Sequence, residues 1–175
     1  MKDIKNNDLN SVALKLIPKG AFLTVTDGKR LNTMTIGWAS FGFIWGKPII
    51  MVMVRKSRYT YELMEKSKEF TVSFPGEKQL KNELNFCGTK SGREHNKFTE
   101  CQLTQVPGRK LKTPIIGEAE LHYECKIVYK QEMKNIGLTL DLDKAWYSDN
   151  DYHTLYFGEI LSSYLTDNEH VSVKQ

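Results

Sequence analysis

The sequence predicts a mainly β, antiparallel domain, a barrel or a sandwich, with a few helices plugging its ends. Three observations carry this expectation. Short β-rich runs such as A-F-L-T-V-T stop at turn signals such as Asp27-Gly28. The run I-I-M-V-M-V after Pro48 is almost wholly apolar, as a strand buried on both faces requires. From 115 to 133 the chain alternates with period two, the pattern of one long, half-exposed antiparallel strand.

Residues 1–18 read as a polar arm ending in V-A-L-K-L-I-P, an amphipathic piece or edge strand that Pro18 closes. A-F-L-T-V-T and the returning L-N-T-M-T-I-G-W-A-S form a hairpin, with Gly37 marking a bulge or a close backbone approach. F-G-F-I-W-G-K-P is expected to be turn. Its alternating Phe41, Phe43 and Trp45 either cap a barrel end or lie against a partner subunit or a ligand ring. The next strand reads from Pro48 to Val54, and it can lie beside the Thr33–Thr35 strand. Ser57 is expected to cap a helix over 57–68, with Tyr61, Leu63 and Met64 facing inward.

E-F-T-V-S-F-P is a further strand, stopped by Pro75-Gly76. Residues 77–87 have helical spacing, with Leu80, Leu84 and Phe86 inward. C-G-T-K-S-G-R-E-H-N-K-F is a polar loop whose concentration of Gly, Ser, Lys, Arg and His makes it a second candidate site. Along 115–133, Ala119, Leu121, Tyr123, Cys125, Ile127 and Tyr129 fall on one side, and Glu118, Glu120, His122, Glu124 and Lys126 on the other. Residues 134–151 look irregular, and Y-H-T-L-Y-F-G-E-I supplies the last strand. No repeat or linker divides the chain, so 1–175 is expected to form a single domain with its core over 20–165.

Composition narrows the function. With 40% hydrophobic and 26% charged residues the chain is that of an ordinary globular protein. Its net charge of +4 is spread among interspersed Lys and Glu, too diffuse a field for nucleic acid. The first ten residues are polar and the longest apolar run is strand-sized, so neither a signal peptide nor a membrane span is expected, and the protein is placed in the cytoplasm. Cys87, Cys101 and Cys125, widely spaced and without C-x-x-C, fit reduced thiols.

The chain contains no P-loop, no G-x-G-x-x-G and no G-x-S-x-G. D-L-D-K-A-W-Y-S-D-N-D begins like a calcium loop, but it lacks the sixth-position Gly and has Tyr152 at the twelfth. Cys87, His95, Cys101 and His122 match no zinc spacing, so no metal site is expected. What remains is R-K-S-R-Y-T, where a strand hands over to a helix. Guanidiniums and hydroxyls at a helix start suit a phosphate. On composition alone, a serine N-cap flanked by solvated basic residues is an equal account. The hydroxyls and backbone of 32–38 would suit the edge of a heterocycle facing that cation group.

G-A-F-L-T-V, N-T-M-T-I-G-W-A-S, P-I-I-M-V-M-V-R-K-S-R-Y-T, F-T-V-S-F-P, C-G-T-K-S-G-R-E-H-N-K-F and Y-H-T-L-Y-F-G-E-I together resemble, in order, the flavin reductase-like FMN-binding family, and most closely its flavoredoxin branch. The resemblance implies an antiparallel, Greek-key-like split β-barrel with capping helices. It implies a homodimer, with FMN held noncovalently near the interface. Asn32, Thr33, Met34, Thr35, Ile36, Gly37 and Trp38 would border the ring and ribityl chain. Arg55, Ser57, Arg58 and Thr60 would hold the phosphate, Val54 and Tyr59 would also bind the cofactor, and Ser91, Gly92 and Lys97 would close over the flavin. His153 matches a late histidine near the flavin or nicotinamide face, although a solvated or core histidine accounts for it equally well. The implied activity is oxidoreduction: electrons pass from NADH, NADPH or a protein donor through FMN to a flavin, another acceptor or a redox partner protein. A non-catalytic flavin-binding carrier, sensor or interaction module is the alternative.

Overall fold

The sheet is built outward from its longest ladder, which joins the last two long strands. The computed structural model describes residues 6–76 and 79–166. Helix α1 (Asn6–Leu16) and a 3-10 turn (Ile17–Lys19) lead into β1 (Ala21–Thr26), β2 (Leu31–Ile36), β3 (Ala39–Ile44) and β4 (Lys47–Arg55). Helix α2 (Tyr59–Met64), β5 (Glu69–Phe74), α3 (Lys81–Thr89) and α4 (Lys97–Glu100) follow. Two short strands, β6 (Gln105–Val106) and β7 (Ile115–Ile116), precede β8 (Leu121–Glu132), α5 (Leu140–Trp146) and β9 (His153–Leu165).

Seven strands form one sheet in the order β2-β1-β5-β8-β9-β4-β3, each neighbouring pair antiparallel. The two edges, β2 and β3, are consecutive in sequence and joined only by Gly37 and Trp38. So short a link spans about 10 Å at most, so the sheet must curl until its edges meet. That is a split barrel, and the mainly β expectation holds. Tyr123, Tyr156, Phe22, Phe70 and Phe74 are fully buried in its two core clusters or between them; each such ring contributes roughly 2–3 kcal/mol. Leu9, Ala13 and Leu16 seat α1 on the core, and Tyr123 Oη donates to Asn10 Oδ1 at 3.0 Å.

Several expectations change. β2 does not pair with β4; the two stand across the split, each at its own place in the sheet. Of the arm before Pro18, Asn6–Leu16 is helical, the amphipathic alternative rather than the edge strand, and residues 1–5 lie outside the described residues. F-G-F-I-W-G is mostly strand, because the reversal needs only Trp45 and Gly46, both at positive φ (55° and 70°), which suits a tight hairpin. Arg58, not Ser57, occupies the N-cap of α2, and no side chain caps that end. The long strand over 115–133 is broken into β7 and β8, and His122 and Glu124, expected outside, are fully buried. Glu124 accepts backbone N–H bonds from Arg109, Lys110 and Leu111 (2.7–2.9 Å) and a bond from Tyr164 Oη at 2.9 Å, so the loop after β6 folds over that face. Residues 140–146, expected irregular, are helical. Of the helix expected over 77–87, residues 77 and 78 lie outside the described residues. Among the described residues no helix is long and apolar enough to cross a membrane, and no cluster of His, Cys, Asp and Glu is arranged for a metal.

Glu124→Ala leaves three backbone donors and the Tyr164 hydroxyl without their acceptor. It is expected to lower unfolding stability in urea by about 3 kcal/mol; a loss below about 0.5 kcal/mol, the usual surface value, would mean that the clamp is not structural.

Candidate functional site

Where the barrel splits, the ends of β2 and β4, the start of α2 and the 88–100 segment surround two adjoining recesses of about 190 and 120 Å3. Met34 and Arg58 line both and form their junction. Thr35 on one side, and Gly88 and Thr89 on the other, also face a larger cavity of about 760 Å3 under α3.

The smaller recess is cationic. Its walls carry Arg58, Lys90, Arg93 and Lys97, and none of its lining residues is an acid. Lys97, the first residue of α4, is buried at 4% exposure, and its Nζ donates to the Cys87 carbonyl at 2.7 Å. Burial, and next to it the nearby positive charge of Arg58, hold its pKa below the ordinary lysine value despite a helping pull from the Cys87 thiol. An anion in the pocket would remove that penalty. Arg58 Nη1 reaches the Gly88 carbonyl at 3.3 Å. Arg93 is held by Glu62 (2.6 Å) and the Ser57 carbonyl (3.2 Å), and it stacks on Tyr59 from 5.5 Å. Buried Asn32 donates to Thr60 Oγ1 at 2.8 Å, which leaves the Thr60 hydrogen free for another acceptor. Gly92 is required: a Cβ there would enter the Asn32 carboxamide and the Tyr59 ring.

The larger recess is lined by Met34 to Trp38, Met53, Arg55, Trp146 and His153. Trp38 meets Trp146 edge-on at 4.8 Å and His153 at 5.4 Å. His153 sits opposite Arg55 in the β4–β9 ladder, and its Nδ1 pairs with Tyr147 Oη at 2.9 Å. Burial, then the Arg55 charge, lower its pKa from 6.5 to about 4, so the ring is neutral at neutral pH.

Most of the residues singled out from the sequence converge here: Asn32, Met34, Thr35, Ile36, Gly37, Trp38, Arg55, Ser57, Arg58, Tyr59, Thr60, Ser91, Gly92, Lys97 and His153 all line one recess or the other. Two do not. Thr33 is fully buried, sharing hydrogen bonds with Thr24 and the Leu23 carbonyl, and Val54 points into the core. The strand alternation sends both away from the cleft. Arg55 and Ser57 line the site but are already engaged. Arg55 donates to the carbonyls of Trp146 (2.6 Å) and Asp151 (3.1 Å) and pairs with Asp149, and Ser57 Oγ donates to Asp151 at 2.6 Å. They tie the segment after α5 to the site. Trp146, Tyr147, Asp149 and Asp151 escaped the sequence reading because α5 buries none of its residues and so shows no apolar period.

The barrel is thus split by a cationic pocket beside an aromatic recess. The chain belongs to the flavin reductase like domain family, whose model matches residues 14–172. It is 31% identical over 146 residues to an uncharacterized protein of Archaeoglobus fulgidus, covering 83% of this chain and 72% of that one. Among solved structures it is similar to the flavoredoxin from Methanosarcina acetivorans (TM-score 0.67, 26% identity, 85% of this chain and 68% of that one). The flavoredoxin of Desulfovibrio vulgaris (Miyazaki F) gives a TM-score of 0.66 at 25% identity, over 85% and 69% of the two chains.

The folded state favours neutral His153, so its contribution to stability is complete above pH 6.5 and is lost as pH falls toward about 4. His122, lowered to about 4 mainly by burial, titrates in the same window. His153→Gln, which cannot charge, is expected to remove about 2–3 kcal/mol of the acid-side loss, read from denaturation curves between pH 7 and 4. An unchanged acid limb would contradict a buried neutral His153.

Proposed function

We propose that the protein is an FMN-dependent oxidoreductase of the flavin reductase or flavoredoxin type, working in the cytoplasm as a single-domain homodimer. The observation that carries this reading is the acid-free pocket holding buried Lys97 beside Arg58, joined at Met34 to a recess walled by strand backbone and aromatic rings. The residues fit the group. Lys97, Arg58, Thr60 and Ser91 would take the phosphate, and the backbone of β2 with Trp38 and Met53 would border the ring. Bound FMN supplies the electron chemistry, accepting from NADH, NADPH or a protein donor and giving to a flavin or other acceptor. The chain's part is to bind the tail, orient the ring and limit water. His153, held neutral by burial and hydrogen-bonded to Tyr147, adds no positive charge beside the ring.

Dimerisation is supported by an exposed apolar face. Phe43 and Trp45 are 76% and 59% exposed, and Ile44 and Tyr129 are exposed as well. Trp45, Tyr129 and Phe157 form one aromatic cluster with centroids 5.5–6.2 Å apart. A second reading, a flavin-binding carrier, sensor or interaction module that no nicotinamide reduces, is favoured by the Trp38–Trp146 contact, which narrows access to the ring recess.

Purified protein given FMN is expected to quench flavin fluorescence, and anaerobic NADH or NADPH to bleach the bound flavin in stopped flow. Bleaching by neither selects the carrier reading; no FMN binding defeats both. Arg58→Ala is expected to weaken FMN about 10- to 100-fold, the value of one charge-assisted contact, with riboflavin affinity unchanged.

A further inference from the structure

Cys87, in the wall of the cationic pocket, has a second thiol, Cys101, packed on the cluster behind it, and flavin binding has no use for either. Cys87, in the last turn of α3, is buried at 1% exposure and lines the pocket. Cys101, one residue beyond α4, is half-buried and packs on the apolar cluster that contains Cys87. Lys97 links the two: its Nζ donates to the Cys87 carbonyl at 2.7 Å, and its own carbonyl accepts the Cys101 N–H at 3.1 Å. Cys125 belongs to a different environment, fully buried on β8 inside the barrel.

We propose that Cys87 and Cys101 form a reversible intramolecular disulfide that clamps the 88–100 segment over the cationic pocket. Disulfide formation there is chemically simple. Cys101, the sulfur that meets solvent, attacks a low-molecular-weight disulfide such as glutathione disulfide. The S–S bond breaks, one glutathione leaves as thiol, and a mixed disulfide remains on Cys101. Cys87 then loses its proton and attacks the Cys101 sulfur, and the second glutathione leaves as thiol. One disulfide is reduced and two protein thiols are oxidised, so atoms and electrons balance. Burial pushes the Cys87 thiol up to about 12, which makes it the resolving rather than the attacking sulfur. Lys97, beside both, favours each thiolate as it forms.

The consequence follows from the positions. The bond would join the end of α3 to the end of α4 and close the segment that carries Ser91, Gly92 and Lys97. A phosphate held in the pocket would then be released more slowly, a step that rests on the flavin reading; the bond itself does not.

The experiment needs no flavin. The full chain is incubated with glutathione disulfide, alkylated with iodoacetamide and mapped by mass spectrometry, and trypsin cleavage after Lys90 and Arg93 is timed in parallel. The expected result is a Cys87–Cys101 cross-linked peptide, with Cys125 unmodified and both thiols recovered after dithiothreitol. Cleavage within the segment should slow at least about tenfold in the oxidised protein, as loop closure suppresses local opening, and not in Cys101→Ser. Three results would overturn the proposal: alkylation of both thiols after oxidation, a glutathione adduct on Cys101 that never resolves, or a cross-link that leaves cleavage unchanged. Mapping of the unaltered chain decides the matter even if the serine variant folds poorly.

Discussion

The site depends on a lysine ammonium that the fold takes out of water. Removing such a charge from solvent costs several kcal/mol unless it is paired. Lys97 has one carbonyl, that of Cys87, and a cationic neighbour, Arg58. The pocket therefore lacks a counter-charge, which the phosphate proposed for it would supply. Local structure holds the lysine in that position. Asn96 caps α4 by accepting from the Thr99 N–H at 3.2 Å, Phe98 is buried beside it, and α3 ends where its Cys87 carbonyl can receive the ammonium.

Topology explains why the second half of the site lies next to the first. A sheet whose edge strands are joined by two residues has to curl, and its split falls at that link, Gly37–Trp38. The link is thus both the closure of the barrel and the floor of the aromatic recess. On the opposite wall, Arg55 spends its guanidinium on the segment after α5, bringing Trp146 against Trp38. An arginine that suits a phosphate by composition serves instead as a strut for the aromatic wall.

Much of this was legible in the sequence, and the misses have physical causes. Strands that alternate, or are apolar throughout, announced themselves, as did the Asp27-Gly28 hairpin. The blocks that carry the family resemblance hold most of the lining residues. Glu124 and His122 misled because alternation assumes that polar means exposed, whereas a carboxylate given three backbone donors can be buried. Strand neighbours could not be read either: β2 and β4 share a cleft without sharing a ladder, a property of the closed barrel rather than of any local pattern. Helix α5 left no trace because none of its residues is buried, and with it went Trp146, Tyr147 and the two aspartates that anchor Arg55 and Ser57.

On the proposed function, the pocket around Lys97 and Arg58 takes the phosphate and the recess at Trp38 takes the ring. Isothermal titration of FMN against riboflavin tests it most directly, because the two ligands share the ring and differ in the phosphate. FMN is expected to bind about a hundredfold more tightly, as two charge-assisted contacts would give; added salt should shrink the gap, and Lys97→Met should close most of it. Equal affinities for FMN and riboflavin in the unaltered protein would mean that the pocket around Lys97 and Arg58 holds no phosphate.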